Sequence, residues 1–193
     1  MSHEITQVAE RLVYENGYIR LYDDDVRFRD GTTGRYVRLD AASPGTAVVL
    51  VPVCEDLIGL VRTFRYPLRK LAWELPRGFS HGEIVEETAR NELREELGID
   101  EAEFEVLGFL TPDSGIQSAR VAAVAAKVSD KGRGPDDTVE VDLVQWVDIS
   151  ALERMIREGH IEDSLTIAAY TLYGLRASGP EQAKSNRPGR GGP

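Results

Sequence analysis

The side chains best suited to chemistry are Glu92, Glu95 and Glu96, in the run from Gly82 to Ile99. On a helix at about 100° per residue, Val85, Ala89, Leu93 and Leu97 form one apolar stripe that must pack on the body of the protein. The three glutamates fall in a narrow arc along one edge of that stripe. Glu86, Arg90 and Arg94 face away, with Glu86 and Arg90 as an i,i+4 pair. Like charges crowded beside a buried stripe repel, and burial raises the cost. The C-terminal end of a helix is also poor ground for carboxylates. A divalent cation removes the conflict. Hard ions such as Mg²⁺, with Mn²⁺ as an alternative, take carboxylate oxygens and complete their shell with water and phosphate. By itself the pattern reads equally as a charged helix with no site.

The segment before the helix, Trp73-Glu74-Leu75-Pro76-Arg77-Gly78-Phe79, is a tight apolar turn with a glutamate in it. Glu74 is a candidate fourth carboxylate. Gly78 and Gly82 let the backbone approach a ligand closely. The three histidines, His3, His81 and His160, are too scattered for a histidine-based mechanism.

The elements that position these residues follow from periodicity and turn signals. Short strands are expected at Arg11–Tyr14, Tyr18–Asp23, Val26–Arg29 and Gly34–Asp40, between the turns Asn16-Gly17 and Asp30-Gly31. Ala47–Val53 and Leu57–Thr63 read as a hairpin. The acidic helix should run from about Ile84 to Leu97, with Gly98 as its C-cap. Further strands are expected at Phe104–Leu110, Arg120–Val128 and Val139–Val147. Ser150-Ala-Leu-Glu153 reads as a capping box for a short helix ending at Gly159. Asp163 or Ser164 should cap a last helix to about Leu175. Residues 177–193 hold four Gly and three Pro and should form a disordered tail.

The 193 residues suffice for one domain with a real core, and 41% hydrophobic with 29% charged residues excludes a wholly disordered chain. The net charge of −10 argues against a broad nucleic-acid groove, so phosphate must be met by local arginines or metal ions. The lone cysteine, Cys54, excludes an internal disulfide framework. No apolar run approaches a membrane span, and the N-terminus lacks a signal-peptide core. The expectation is a cytoplasmic protein with neither a membrane nor a nucleic-acid partner.

Taken together, these residues resemble the Nudix hydrolases, whose box reads G-x5-E-x7-R-E-U-x-E-E-x-G-U with U apolar. Glu83, Glu92, Leu93, Glu95, Glu96, Gly98 and Ile99 match at the required spacing. Asn91 stands at the box arginine, and Gly78 precedes Glu83 with one residue fewer than the box has. The segments Val61–Pro67, Trp73–Pro76 and Gly159–Thr166 resemble the ADP-ribose and nucleoside-diphosphate-sugar pyrophosphatase branch. The resemblance implies an α/β fold: a Nudix-type α/β/α sandwich with a mixed sheet plus a small N-terminal antiparallel β-sheet. It implies an N-terminal subdomain over residues 1–45, exchanged between the subunits of a homodimer, and a catalytic domain over 46–176.

The chemistry implied is Mg²⁺-dependent hydrolysis of a nucleoside diphosphate linked to another moiety, ADP-ribose or a related nucleotide sugar. Glu92, Glu95, Glu96 and the backbone carbonyl of Arg77 are the implied metal ligands. Arg62 and Arg65 are candidates for the phosphate charge. Lying three apart on a strand, they do not share a face, and the resemblance favours Arg65. Phe64, with Tyr66 and Trp73, is a candidate for stacking a base, and Glu74 for contacting substrate. Asp113 is the one carboxylate of the loop 111–120. It is either the general base or the cap of its own Pro-Asp-Ser-Gly turn. The rival readings are a Nudix-like module that binds a nucleotide sugar without cleaving it, and a hydrolase of another diphosphate class.

Overall fold

The computed structural model describes residues 4–42, 45–79, 82, 84–135 and 140–177. Glu83, His81 and the tail beyond residue 177 lie outside the described residues. The chain runs through β1 (Thr6–Ala9), β2 (Leu12–Glu15), β3 (Ile19–Arg27) and β4 (Thr33–Ala41). Next come β5 (Ala47–Cys54), β6 (Leu57–Arg65), a 3-10 turn at Tyr66–Leu68, β7 (Lys70–Glu74) and β8 (Arg77–Gly78). The rest is α1 (Val85–Leu97), β9 (Glu103–Leu110), β10 (Val121–Val128), β11 (Val141–Asp148), α2 (Ile149–Arg157) and α3 (Ser164–Ala177).

The first four strands form an antiparallel sheet in which β3 pairs with β1, β2 and β4. Where the sequence predicts two short strands separated at Asp24 and Asp25, β3 continues unbroken through Asp23–Asp25. Each aspartate there has found a donor. Asp24 accepts from Arg38 Nε at 2.9 Å, Gln7 Nε2 at 3.0 Å and the Arg11 N–H at 2.9 Å. Arg35 pairs with Asp23 at 2.6 Å and with Asp25 at 3.4 Å. Polar satisfaction within the sheet overrides the weak strand propensity of aspartate.

The second sheet has the order β11–β6–β5–β10–β9, with β7 added to β6 and β8 to β5. β5 and β10 are parallel and the other pairs antiparallel, so the sheet is mixed. Alternation along its central strands divides the core in two. Val48 and Leu50 of β5, with Ala122, Val124 and Ala126 of β10, face Ala89, Leu93 and Leu97 of α1. Val49, Val51, Val121 and Ala123 point the other way, onto Leu152 of α2 and Leu165 and Ala169 of α3. This is the expected α/β/α sandwich, with the small N-terminal sheet beside it.

The ends of α1 and α2 show how local chemistry sets the boundaries. Gly98 caps α1 in the left-handed region, φ 67°, and its N–H donates to the Arg94 carbonyl at 2.9 Å. Gly132, also left-handed at φ 71°, lies against the Leu97 carbonyl, where a Cβ would not fit. Arg133 donates from Nη1 to the Gly98 carbonyl at 3.2 Å, so residues 130–134 clasp the end of α1. The Trp146 indole N–H of β11 donates to the Lys131 carbonyl at 3.2 Å, and its ring packs on Gly59. α2 is capped by Asp148, whose Oδ1 accepts from the Ala151 N–H at 2.7 Å. The sequence signature placed that cap two residues later, at Ser150.

Candidate active site

α1 lies on β5 through its apolar stripe, and this fixes where its carboxylates point. Glu92 and Glu96 turn toward the sheet and are partly buried, while Glu95 is exposed. Helix geometry explains the split. Glu96 lies beside the stripe and Glu92 next to it, whereas Glu95 falls about 60° further round from Glu92, away from the stripe. The Glu95 side chain is 52% exposed and sits 3.8 Å from Arg94. The structure thus draws two of the three expected carboxylates together and leaves the third at the rim.

The inward pair is electrostatically loaded. Burial, then the charges of Glu95 and Glu140, pushes the Glu92 carboxyl up to about 7. Burial, then the Glu92 charge, pushes Glu96 up to about 8, against a hydrogen bond from the Arg77 backbone and the charge of Arg65. Glu96 Oε2 is buried with no hydrogen-bond partner among the described residues. The Glu92 carboxylate rests on Gly78, occupying the space a Cβ would take. Any larger residue there would push the Glu92 carboxylate aside.

Among the described residues, no group of three His, Cys, Asp or Glu side chains forms a ready-made metal cage. The residues nevertheless fit a divalent cation. Two repelling carboxylates with an unsatisfied buried oxygen are an incomplete hard-oxygen donor set.

The cationic side of the site comes from β6 to β8. Glu74, 1% exposed, is not at the surface. Its carboxylate accepts from Arg65 Nε at 3.0 Å to each oxygen and from Arg65 Nη2 at 2.5 Å. Arg77 Nη2 approaches Glu74 Oε2 at 2.9 Å. The side chain expected to contact substrate is thus occupied by two guanidiniums. Arg62 points to the other face, as its spacing from Arg65 predicts. It pairs with Asp142 at 2.6 Å and lies over the Trp73 ring at 5.5 Å. Phe64, between the two arginines, is 53% exposed. A cavity of about 370 Å³ opens against this group, walled by Arg65, Leu71, Glu74, Arg77, His160 and Glu162.

Asp113 takes the turn-capping alternative. Its Oδ1 accepts from the Gly115 N–H at 3.0 Å and its carbonyl from the Gln117 N–H at 2.8 Å. Sequence reasoning missed Glu140, whose charge acts on both Glu92 and Glu96. β11 begins opposite Thr63 of β6, and that pairing brings Glu140 to the site. No local spacing marks it. Asp163, also missed as a site residue, lies 3.3 Å from Arg77.

The site is thus an acidic helix packed on a mixed sheet, with paired arginines contributed by β6 and β8. The NUDIX domain family matches residues 44–169. The chain belongs to the Nudix family and is a hydrolase of its pyrophosphatase type. Similar proteins include the methanol dehydrogenase activator of Bacillus methanolicus, 30% identical over 85% of this chain and 89% of the relative. The ADP-ribose pyrophosphatase of Mycobacterium tuberculosis is 26% identical over 86% of this chain and 81% of the relative. A crystal structure of an ADP compounds hydrolase superposes with a TM-score of 0.77 at 19% identity, covering 93% of this chain and 98% of that one. Among the described residues, no helix is long and apolar enough to cross a membrane.

Proposed function

We propose that this chain hydrolyses the pyrophosphate bond of ADP-ribose or a related nucleotide sugar, giving a nucleoside monophosphate and a phosphorylated sugar. The observation that carries this reading is the inward pair Glu92 and Glu96, held close and partly buried with one oxygen unsatisfied. The relatives named ADP-ribose pyrophosphatase support the substrate class. Glu92 and Glu96, with Glu95 at the rim and the Arg77 backbone carbonyl, would hold Mg²⁺ or Mn²⁺. Such an ion, when bound, lowers the pKa of water and screens phosphate charge.

The chain's own groups do the rest. Water adds its oxygen to one phosphorus, the bridging P–O bond breaks, and the bridging oxygen leaves on the other phosphate. Glu140, whose charge acts on both Glu92 and Glu96, is the proposed acceptor of the water proton, in preference to Asp113. Arg65 faces the anion with its remaining N–H groups while Glu74 fixes its orientation. Phe64 offers an exposed ring for the base. The cavity beside Arg65 and Arg77 is walled by paired acids and bases, which suits a polyhydroxylated sugar better than another phosphate.

The decisive experiment incubates the full chain with Mg²⁺ and a panel of nucleotide sugars and resolves products by ³¹P NMR. Nucleoside monophosphate should appear at enzymatic rates, fastest from one base and sugar. Binding without release from any member would establish the second reading, a sensing module. Asn91 favours that reading, because it brings no charge to the acidic pair.

We also propose residues 1–45 as an arm exchanged in a homodimer. Val8, Leu12, Val13, Tyr14 and Tyr18 are exposed on or beside β1 and β2, an apolar surface that a second copy would cover.

A further inference from the structure

Asn91 is exposed and accepts from Arg94 Nη2 at 3.5 Å, so it does not orient the acidic pair. The order of the recess has another origin. Arg77 bridges Glu74, at 2.9 Å, and Asp163 Oδ1, at 3.3 Å. The other oxygen of Asp163 accepts from the Thr166 N–H and hydroxyl, both at 2.8 Å. Thr166 Oγ1 in turn accepts from the Leu75 N–H at 2.9 Å. The path Glu74–Arg77–Asp163–Thr166–Leu75 closes on itself, because Glu74 and Leu75 are neighbours in the chain. It pins the turn between β7 and β8 to the first turn of α3. That pinned segment donates the Arg77 N–H to Glu96 and sets Gly78 under the Glu92 carboxylate.

We propose that Asp163 is a positioning residue: through Arg77 it holds residues 74–78 in place beneath Glu92 and Glu96, and so sets how tightly that pair takes a divalent cation. The inference rests on the metal-dependent reading above. Groups one step removed from metal ligands govern affinity through orientation. A plain helix-capping role is the competing account, and the two separate cleanly. Asparagine caps a helix as well as aspartate does, yet cannot pair ionically with Arg77.

The test is isothermal titration of the full chain with Mn²⁺ alone, alongside thermal melts. Asp163→Asn should melt like the wild type and bind Mn²⁺ about 10-fold more weakly. Asp163→Ala should show the same loss of affinity and a lower Tm. Arg77→Gln cuts the same link from its other end and should reproduce the weakened binding. In turnover, kcat at fixed Mg²⁺ should fall with little change in KM. Wild-type Mn²⁺ affinity in Asp163→Asn, or an Asp163→Ala variant that loses only stability, overturns the proposal alone. A wild-type chain that takes up no Mn²⁺ overturns both the proposal and the reading beneath it.

Discussion

Glu92 and Glu96 carry a cost that is visible in their titration. Burial, with the charges of neighbouring carboxylates, lifts Glu92 to about 7 and Glu96 to about 8, from the ordinary value of 4.5. Each carboxyl therefore binds its proton more tightly folded than unfolded. By linkage, the cation-free chain is most stable below the unfolded value and loses stability as pH rises through the folded values. In a chelating buffer, Tm should fall steadily between about pH 5 and about pH 8. Glu96→Gln should flatten that fall and cut turnover at least about 100-fold. A Tm that rises over the same range would contradict the burial of the pair. The acids themselves were legible: their spacing against Val85, Ala89, Leu93 and Leu97 places them on the helix edge. The finer division was not, because an arc drawn on a wheel does not say how deep the neighbouring strand lets each side chain sink. Glu74 was legible as a carboxylate near the site but not in its use. Its two arginine partners come from strands whose pairing the local sequence does not encode.

Elements explain which acids arrive and which do not. Apart from β3, which fuses two expected strands, the long strands and all three helices follow from periodicity and caps, and their ends move by only a few residues. β1, β7 and β8 were not expected. Four, five and two residues are too short to show alternation, and they form because β3, β6 and β5 offer open edges. The same long-range pairing separates Glu140 from Asp113. Glu140 immediately precedes β11, which pairs with β6, whereas Asp113 closes a turn whose strand-like bridge is to Leu39 of β4. Glu140→Gln should lower kcat about 10- to 100-fold with the fold intact. Asp113→Ala should lose about 1 kcal/mol or less in stability and keep its kcat. The opposite ranking would return the base to the loop 111–120.

At the scale of the whole molecule, the N-terminal sheet is fastened to the loop between β9 and β10. Leu39 donates its N–H to the Ile116 carbonyl at 2.7 Å, and Ser118 Oγ donates to Asp40 at 2.7 Å. The apolar side chains left outward on β1 and β2 are what suits this arm to a second copy of the chain. Sedimentation should find the full chain dimeric, and Val13→Glu should shift it toward monomer. A wild-type chain that sediments as a monomer at all concentrations would remove the arm's proposed role. The clasp over the end of α1 has an optical consequence. Of the chain's two tryptophans, Trp73 lies beneath Arg62, and Trp146 is tethered to the Lys131 carbonyl of the clasp. Replacing Trp73 with phenylalanine leaves a single indole at that tether, so its emission becomes a built-in gauge of whether residues 130–134 stay clasped over the end of α1.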